Sequence, residues 1–293
     1  MAVKVSIQHD TLYSFDRNVD IMPHIIRLRP APHTRAPINH YTLQVEPQSH
    51  YIHWQQDPFA NHIARLVFTE PSEYLRLSVF LTATLEPFNP FDFFVEDSAA
   101  QYPFHYAERL HKALAPCLEQ SEVHSEQMRD WVAAADTRPR PTIDFIVAEN
   151  QRVRDAVRYQ IRHEPGVLTC EEMLESGQGS CRDSSWLLIQ TLRHHGIAAR
   201  FVSGYLIQLR DQPDHDSPIH PDQAKFSELH AWAEAYIPGA GWIGLDPTSG
   251  LLATEGHIPL SCAPDPEDTA PVEGSTGICE VSFSYENRIV DMV

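Results

Sequence analysis

No stretch of this 293-residue chain strings together the ~20 apolar residues that a membrane-spanning helix needs. The opening segment, MAVKVSIQHD, lacks both the basic start and the apolar run of a secretory signal. Positive charge is scarce: 22 Lys and Arg stand against 40 Asp and Glu, a formal charge of −18. Such a surface repels phosphate backbones, and no basic stripe reverses that locally, which excludes nucleic acid as an expected partner. Cysteine is scarce too. Cys117, Cys170, Cys181, Cys262 and Cys279 are odd in number and widely spaced, unlike a disulfide framework or a CxxC metal site. These absences lead us to expect a cytoplasmic protein with free thiols, no membrane association, no metal and no cofactor. Internal repeats and low-complexity tracts are also missing.

Apolar residues make up 42% of the chain, enough for a substantial core in one large or two moderate domains. The first hundred residues alternate with period two. Val3, Val5 and Ile7, then Tyr41, Leu43 and Val45, then Leu75 through Leu85, mark half-buried antiparallel strands. Proline-bearing turns at 29–32, Asp57-Pro58, Glu70-Pro71 and Asn89-Pro90 separate them. The period then becomes helical. Thr142 opens a helix with Ile146, Val153 and Val157 on one face, and Thr169-x-x-Glu172 is a capping box for a short helix at 170–176. A further helix runs from Cys181 to the stop at Gly196, with His194 and His195 at its C-terminal end. Strands follow near 198–208, 229–237 and 242–247. The expected fold is α+β, with an N-terminal antiparallel β-sandwich-like domain at 1–105 and a helix-plus-sheet core at 106–260. A loop from Ser261 to Thr276 and a strand carrying Cys279, Val281, Phe283 and Tyr285 complete 261–293, the strand returning to the β domain. The ending ENRIVDMV shows no cap, so a longer parent chain is expected.

The chemistry concentrates in Gly177-Gln178-Gly179-Ser180-Cys181-Arg182-Asp183-Ser184-Ser185-Trp186. Two glycines turn the backbone tightly into a helix whose first turn holds a cysteine. Unpaired amides and the helix dipole favour a thiolate there, and the same amides can bind an oxyanion. Asp183 suits the first turn, while Trp186, Leu188 and Leu192 anchor the helix. The stretch His230-Ala-Trp-Ala-Glu-Ala-Tyr236 places His230, Trp232 and Glu234 on one face of a strand. If Tyr236 pairs with Trp242 across the turn, His230 lies opposite Thr248 and Asp246 is its diagonal neighbour, within reach of an Asp–His contact. Gln178 and Tyr205 are candidates for the oxyanion or substrate side.

These blocks, GQGSCRDSSWLLIQTLRHHGIAARFVSGYL and HAWAEAYIPGAGWIGLDPTSG, strongly resemble the transglutaminase-like superfamily of papain-type thiol enzymes over roughly residues 140–260. The segments HDTLYSFDR, PHIIRLRPAPHTR, WQQDPFANHIARLVF and NPFDFF look like the β-rich domain that precedes the core in bacterial members. The resemblance implies a nucleophile in Cys181, a base and acid in His230, and an orienting carboxylate in Asp246. It also implies a papain-like core in which the nucleophile's helix packs on an antiparallel sheet. The implied partner is a peptide or protein substrate, with a link to peptide-modification systems.

The expected reaction is thiol-dependent hydrolysis of an amide. Transglutaminase-type crosslinking and a non-catalytic peptide-binding module are the alternatives. Elsewhere, Asp214, His215, Asp216, His220 and Asp222 have a metal-like composition but no fixed ligand spacing, and a solvated loop is expected. Trp54 to Pro58 is expected as a turn with a packed tryptophan. Phe91 to Phe94 is either an interface or a domain-packing contact.

Overall fold

The computed structural model describes residues 2–122, 126–162, 164–214 and 217–292. The alternating N-terminal segments become β1 (Val3–Val19), β2 (His24–Ile26), β3 (Ile38–Glu46), β4 (His50–Gln56), β5 (His62–Phe68) and β6 (Ser72–Leu85). The middle of the chain runs through β7 (Gln101–Tyr102), α1 (Glu108–Leu114), α2 (Glu126–Ala133), β8 (Arg140–Pro141), α3 (Thr142–Ala156), β9 (Arg158–Tyr159), α4 (Cys170–Ser176), β10 (Gln178–Gly179) and α5 (Cys181–His194). Last come β11 (Ala199–Leu209), β12 (Lys225–Ile237), β13 (Gly241–Asp246), β14 (Leu251–Leu252), β15 (His257–Ala263), β16 (Val272–Glu273) and β17 (Val281–Met292).

Two four-stranded antiparallel sheets, ordered β17-β1-β6-β3 and β16-β2-β5-β4, form the N-terminal sandwich. Period-two alternation drives this: Leu75, Leu77, Val79, Leu81 and Ala83 of β6 are all buried, with Val5 and Ile7 of β1 beside them. Ile26 and Leu66, from the second sheet, join the same core. The C-terminal strand β17 pairs antiparallel with β1, bringing Tyr285 opposite Thr11.

The second half is built on a five-stranded antiparallel sheet ordered β14-β13-β12-β11-β15. Ala231, Ala233 and Ala235 of β12 share a core with Leu187, Leu188, Ile189 and Leu192 of α5. Small side chains on the strand let the helix sit close. The two halves also share apolar contacts, because Tyr205, Ile207, Ile258 and Leu260 complete the sandwich core. No helix among the described residues is long and apolar enough to cross a membrane.

Several local expectations need correction. Ser261, Cys262 and Ala263 are not loop; they end β15, buried and paired with β11, because the charged and proline-rich composition begins only at Pro264. Val157 follows α3 in extended conformation rather than continuing its face. Trp54 is part of edge strand β4, 42% exposed, with Arg29 stacked over its ring at 5.3 Å; the turn proper is made by Asp57, whose carboxylate accepts the Phe59 and Asn61 amides. In the Phe91–Phe94 stretch the roles divide: Phe93 packs against the core, whereas Phe91 and Phe94 are exposed.

Candidate active site

The cysteine is delivered by a short, tightly capped relay. The Thr169 hydroxyl accepts the Glu172 amide while the Glu172 carboxylate accepts the Thr169 amide, which starts α4. The helix stops at Gly177, whose φ of +62° is the left-handed conformation that favours glycine. Gln178 and Gly179 then pair in parallel with Arg158 and Tyr159, and α5 begins at Cys181. Asp183 secures that start. Its buried carboxylate accepts the Ser180 amide at 2.8 Å, the Ser180 hydroxyl at 2.7 Å and the Leu168 amide at 2.7 Å, and pairs with Arg162 at 3.1 Å. Burial opposes ionisation of Asp183, but Arg162 and these donors outweigh it and hold the carboxyl below its ordinary value. The carboxylate is thus committed to holding the helix start in place. Cys181 itself is partly exposed, and the first amides of α5 have no carbonyl partner in a preceding turn.

The other four cysteines differ in setting. Cys117, Cys170 and Cys262 are buried, and burial pushes the Cys262 thiol up to about 12 and that of Cys170 well above its ordinary value. Cys279 is partly exposed, with its sulfur 3.5 Å from the Thr276 hydroxyl.

His230 comes from β12. The expected pairing of Tyr236 with Trp242 is present, and the ladder continues as far as Ala233 opposite Leu245. Beyond that pair β13 turns away, so His230 has no ladder partner in Thr248; it lies where the sheet opens, and Asp246 stands at the diverging end. Nε2 of His230 is 3.2 Å from Asp246 Oδ1, an ion-pair contact between two buried side chains. Neither ring nitrogen has a well-aligned hydrogen bond within the protein. Burial alone would lower the proton affinity of His230. The negative charges of Asp246 and Cys181 overcome that and raise it well above the ordinary histidine value. Asp246 shifts the opposite way: burial favours its neutral form, but His230 and His257 hold it far below the usual carboxylate range. Backbone and side-chain donors also fix it, with the Thr248 amide at 2.9 Å from Oδ1 and the Ser249 hydroxyl at 3.0 Å from Oδ2.

The structure therefore brings Cys181, His230 and Asp246 together. Gln178 stays in the strand leading into α5, three residues before the cysteine. Tyr205 does not approach this site. It follows Gly204, the residue paired with His230, so alternation turns it to the other face. There it is wholly buried in the sandwich core with its hydroxyl 2.8 Å from His9 Nδ1. Gly204 has its own reason to be glycine: a Cβ there would lie 2.5 Å from the Trp232 ring and 2.3 Å from the Ile258 carbonyl oxygen.

Four neighbours escaped the sequence reading because each comes from an element remote in the chain or carries no motif. His257, on β15, places Nε2 at 3.6 Å from Asp246 Oδ2. Glu228, two residues before His230 on the same face, accepts from or pairs with His220 at 2.9 Å, and burial first of all pushes its carboxyl up. Burial also raises the phenols of Tyr159 and Tyr285, with the Cys181 charge adding to both. The His230, Asp246 and His257 donor atoms lie within 4.8 Å of one another and are the set among the described residues able to hold a metal ion. Of the histidine- and aspartate-rich loop, His215 and Asp216 fall outside the described residues, while Asp214 pairs with Arg210 and His220 with Glu228.

Residues 129–247 match the model of the transglutaminase-like superfamily, and residues 5–84 that of the bacterial transglutaminase-like N-terminal region. The chain superposes on the crystal structure of a candidate cysteine protease from Cytophaga hutchinsonii with a TM-score of 0.69. That match has 20% identity and covers 99% of this chain and 92% of the other, a likeness of fold. An uncharacterized protein of Mycobacterium tuberculosis is 27% identical over 172 residues, covering 57% of this chain and 51% of the relative. One from Mycobacterium leprae is 30% identical over 139 residues, covering 44% and 47%. The chain spans about half the length of these curated relatives.

Proposed function

The chain belongs to the transglutaminase-like superfamily, and from that premise we propose that it is a cysteine enzyme hydrolysing peptide amide bonds through Cys181, His230 and Asp246. One observation carries the reading: a buried histidine between a helix-start thiol and a buried carboxylate, its proton affinity raised by both. A histidine buried without such partners would be held neutral instead.

In the proposed reaction the Cys181 sulfur attacks the amide carbonyl as a thiolate, with His230 as the imidazolium. The tetrahedral oxyanion is stabilised by the first amides of α5. His230 then protonates the leaving amine from Nδ1, since Nε2 faces Asp246, and the C–N bond breaks to leave a thioester on Cys181. Water, deprotonated by His230, attacks that thioester, the C–S bond breaks, and the acid product departs. Asp246 keeps the ring oriented and offsets its charge. Gln178, close before the nucleophile, is the side-chain candidate for the oxyanion or substrate side.

Transglutaminase-type transfer differs only in the second nucleophile, an amine in place of water. The test is to incubate the protein with a mixed peptide library, with and without an added primary amine, and follow products by mass spectrometry. New acid termini that vanish in Cys181→Ala support hydrolysis. Amine adducts would favour crosslinking, and peptide retention without turnover would favour a binding module.

A further inference from the structure

His257 lies outside every motif of the chain, yet it is the second histidine on Asp246. The chain folds back at Thr254-Glu255-Gly256-His257, with the His257 amide donating to the Thr254 carbonyl at 3.0 Å. In the same turn the Thr254 amide donates to His257 Nδ1 at 3.1 Å. A nitrogen that accepts a hydrogen bond carries no proton, so in the neutral ring the proton must sit on Nε2. That nitrogen is buried, has no aligned partner, and lies 3.6 Å from Asp246 Oδ2. The distance is long for a hydrogen bond, but contacts of this kind commonly tighten when substrate binds. The ring is steered by packing as well: it meets the Trp232 indole edge-on at 5.2 Å, and its centroid is 6.1 Å from that of His230.

We propose that His257 is a positioning residue for the Asp246–His230 pair, held as the neutral Nε2–H tautomer by the Thr254 amide and presenting that proton to Asp246 Oδ2. The inference rests on the proposed roles of Asp246 and His230. Its physical content is a division of labour between the two carboxylate oxygens. Oδ1 takes His230 and the Thr248 amide, while Oδ2 takes the Ser249 hydroxyl and His257. With both oxygens engaged the carboxylate cannot rotate, and so it cannot carry the His230 ring away from Cys181. The turn matters because it fixes the tautomer. A histidine whose Nδ1 held the proton would present a lone pair to the carboxylate and repel it.

Two measurements decide the matter. Ring-nitrogen NMR of 15N-labelled protein reports the tautomer directly and requires no substrate. The expected result at pH 7 is His257 as the Nε2–H form; an Nδ1–H form or an imidazolium overturns the proposal. The second is a pair of substitutions with peptide turnover as readout. His257→Gln keeps a donor of similar reach, and His257→Phe keeps the ring against Trp232 but offers no donor. We expect kcat of the Phe variant to fall roughly tenfold with KM little changed, the scale typical of partners that orient a functional side chain, and the Gln variant to recover most of it. Equal activity of the two variants means that the ring only fills space, which overturns the proposal. Should turnover survive in Cys181→Ala, it is the cysteine-enzyme reading that fails, and the tautomer spectrum still decides on His257.

Discussion

Replacing Asp246 by Asn is the sharpest perturbation of the proposed mechanism, because it removes a charge while keeping nearly the same shape. The amide oxygen of Asn can still accept the Thr248 amide and face His230, so the β13 turn should persist. The lost quantity is the attraction between a carboxylate and an imidazolium whose nearest atoms are 3.2 Å apart. At an effective dielectric constant of ~20, unit charges at 4 Å interact by about 4 kcal/mol. If that attraction is present in the transition state, its loss slows turnover about a thousandfold. The sign for His230 follows from its surroundings. With the Asp246 charge gone, burial is opposed by Cys181 alone, and the proton affinity of the ring falls. The assay is kcat/KM for peptide cleavage, paired with ring-nitrogen NMR of His230 at pH 7. The wild-type ring should be imidazolium and the variant ring neutral. A variant retaining activity within tenfold of wild type, or a ring with unchanged protonation, would refute the reasoning.

Three further outcomes concern the scaffold. His9 is buried between the Tyr205 and Thr11 hydroxyls, and burial lowers its proton affinity to about 4. The folded state therefore binds fewer protons than the unfolded state between pH ~4 and ~6.5. Its contribution to stability falls as pH drops through that window, by about 3 kcal/mol in all. Urea unfolding at pH 7 and pH 4.5 should show a shallower loss in His9→Gln, and parallel losses would count against it. Gly204→Ala drives a methyl group into Trp232 and the Ile258 carbonyl, and should cost at least 1–3 kcal/mol by urea midpoint; an unchanged midpoint would mean that the sheet yields freely. Asp183→Ala strips the start of α5 and takes the buried carboxylate from Arg162, leaving it only the Gly166 carbonyl and the exposed Glu164 at 3.9 Å, an expected loss of about 3–5 kcal/mol at pH 7. Since the folded Asp183 carboxyl ionises below its unfolded value, this contribution is present above pH ~4 and is lost as pH falls further. The gap between variant and wild type should close in acid; a gap constant with pH would mean that the charge is not what stabilises the helix start.

Much of the architecture could be read without coordinates, where a local rule was strong enough. The Thr169–Glu172 capping box, the glycine stop of α4 and the start of α5 at Cys181 are short-range hydrogen-bond and dihedral requirements written in neighbouring residues. Alternation in β1 and β6 likewise separates a buried face from an exposed one. The turn at Pro238–Gly241 sets the register of β12 on β13, because it leaves Tyr236 opposite Trp242. Tyr205 was misread because its sequence neighbours belong to the functional block, while its contacts belong to the sandwich. Alternation assigns a residue to one side of a strand but does not say which domain lies there. The Ser261–Ala263 segment was misread because composition was averaged across a boundary at Pro264.

Sequence alone thus determined the candidate residues for the proposed chemistry and the local elements that carry them, since caps, turns and alternation act over a few residues. Tertiary structure decided what surrounds them. The distance from His230 to Asp246, the ion pair of Arg162 with Asp183 and the approach of His257 from β15 each join segments separated by 11 to 21 positions in the chain. The strand β17 closes onto β1, more than 260 residues earlier, and sets Tyr285 opposite Thr11. No local rule encodes such meetings. They arise as the apolar faces of the sandwich and of α5 are buried, which packs segments distant in the chain against one another.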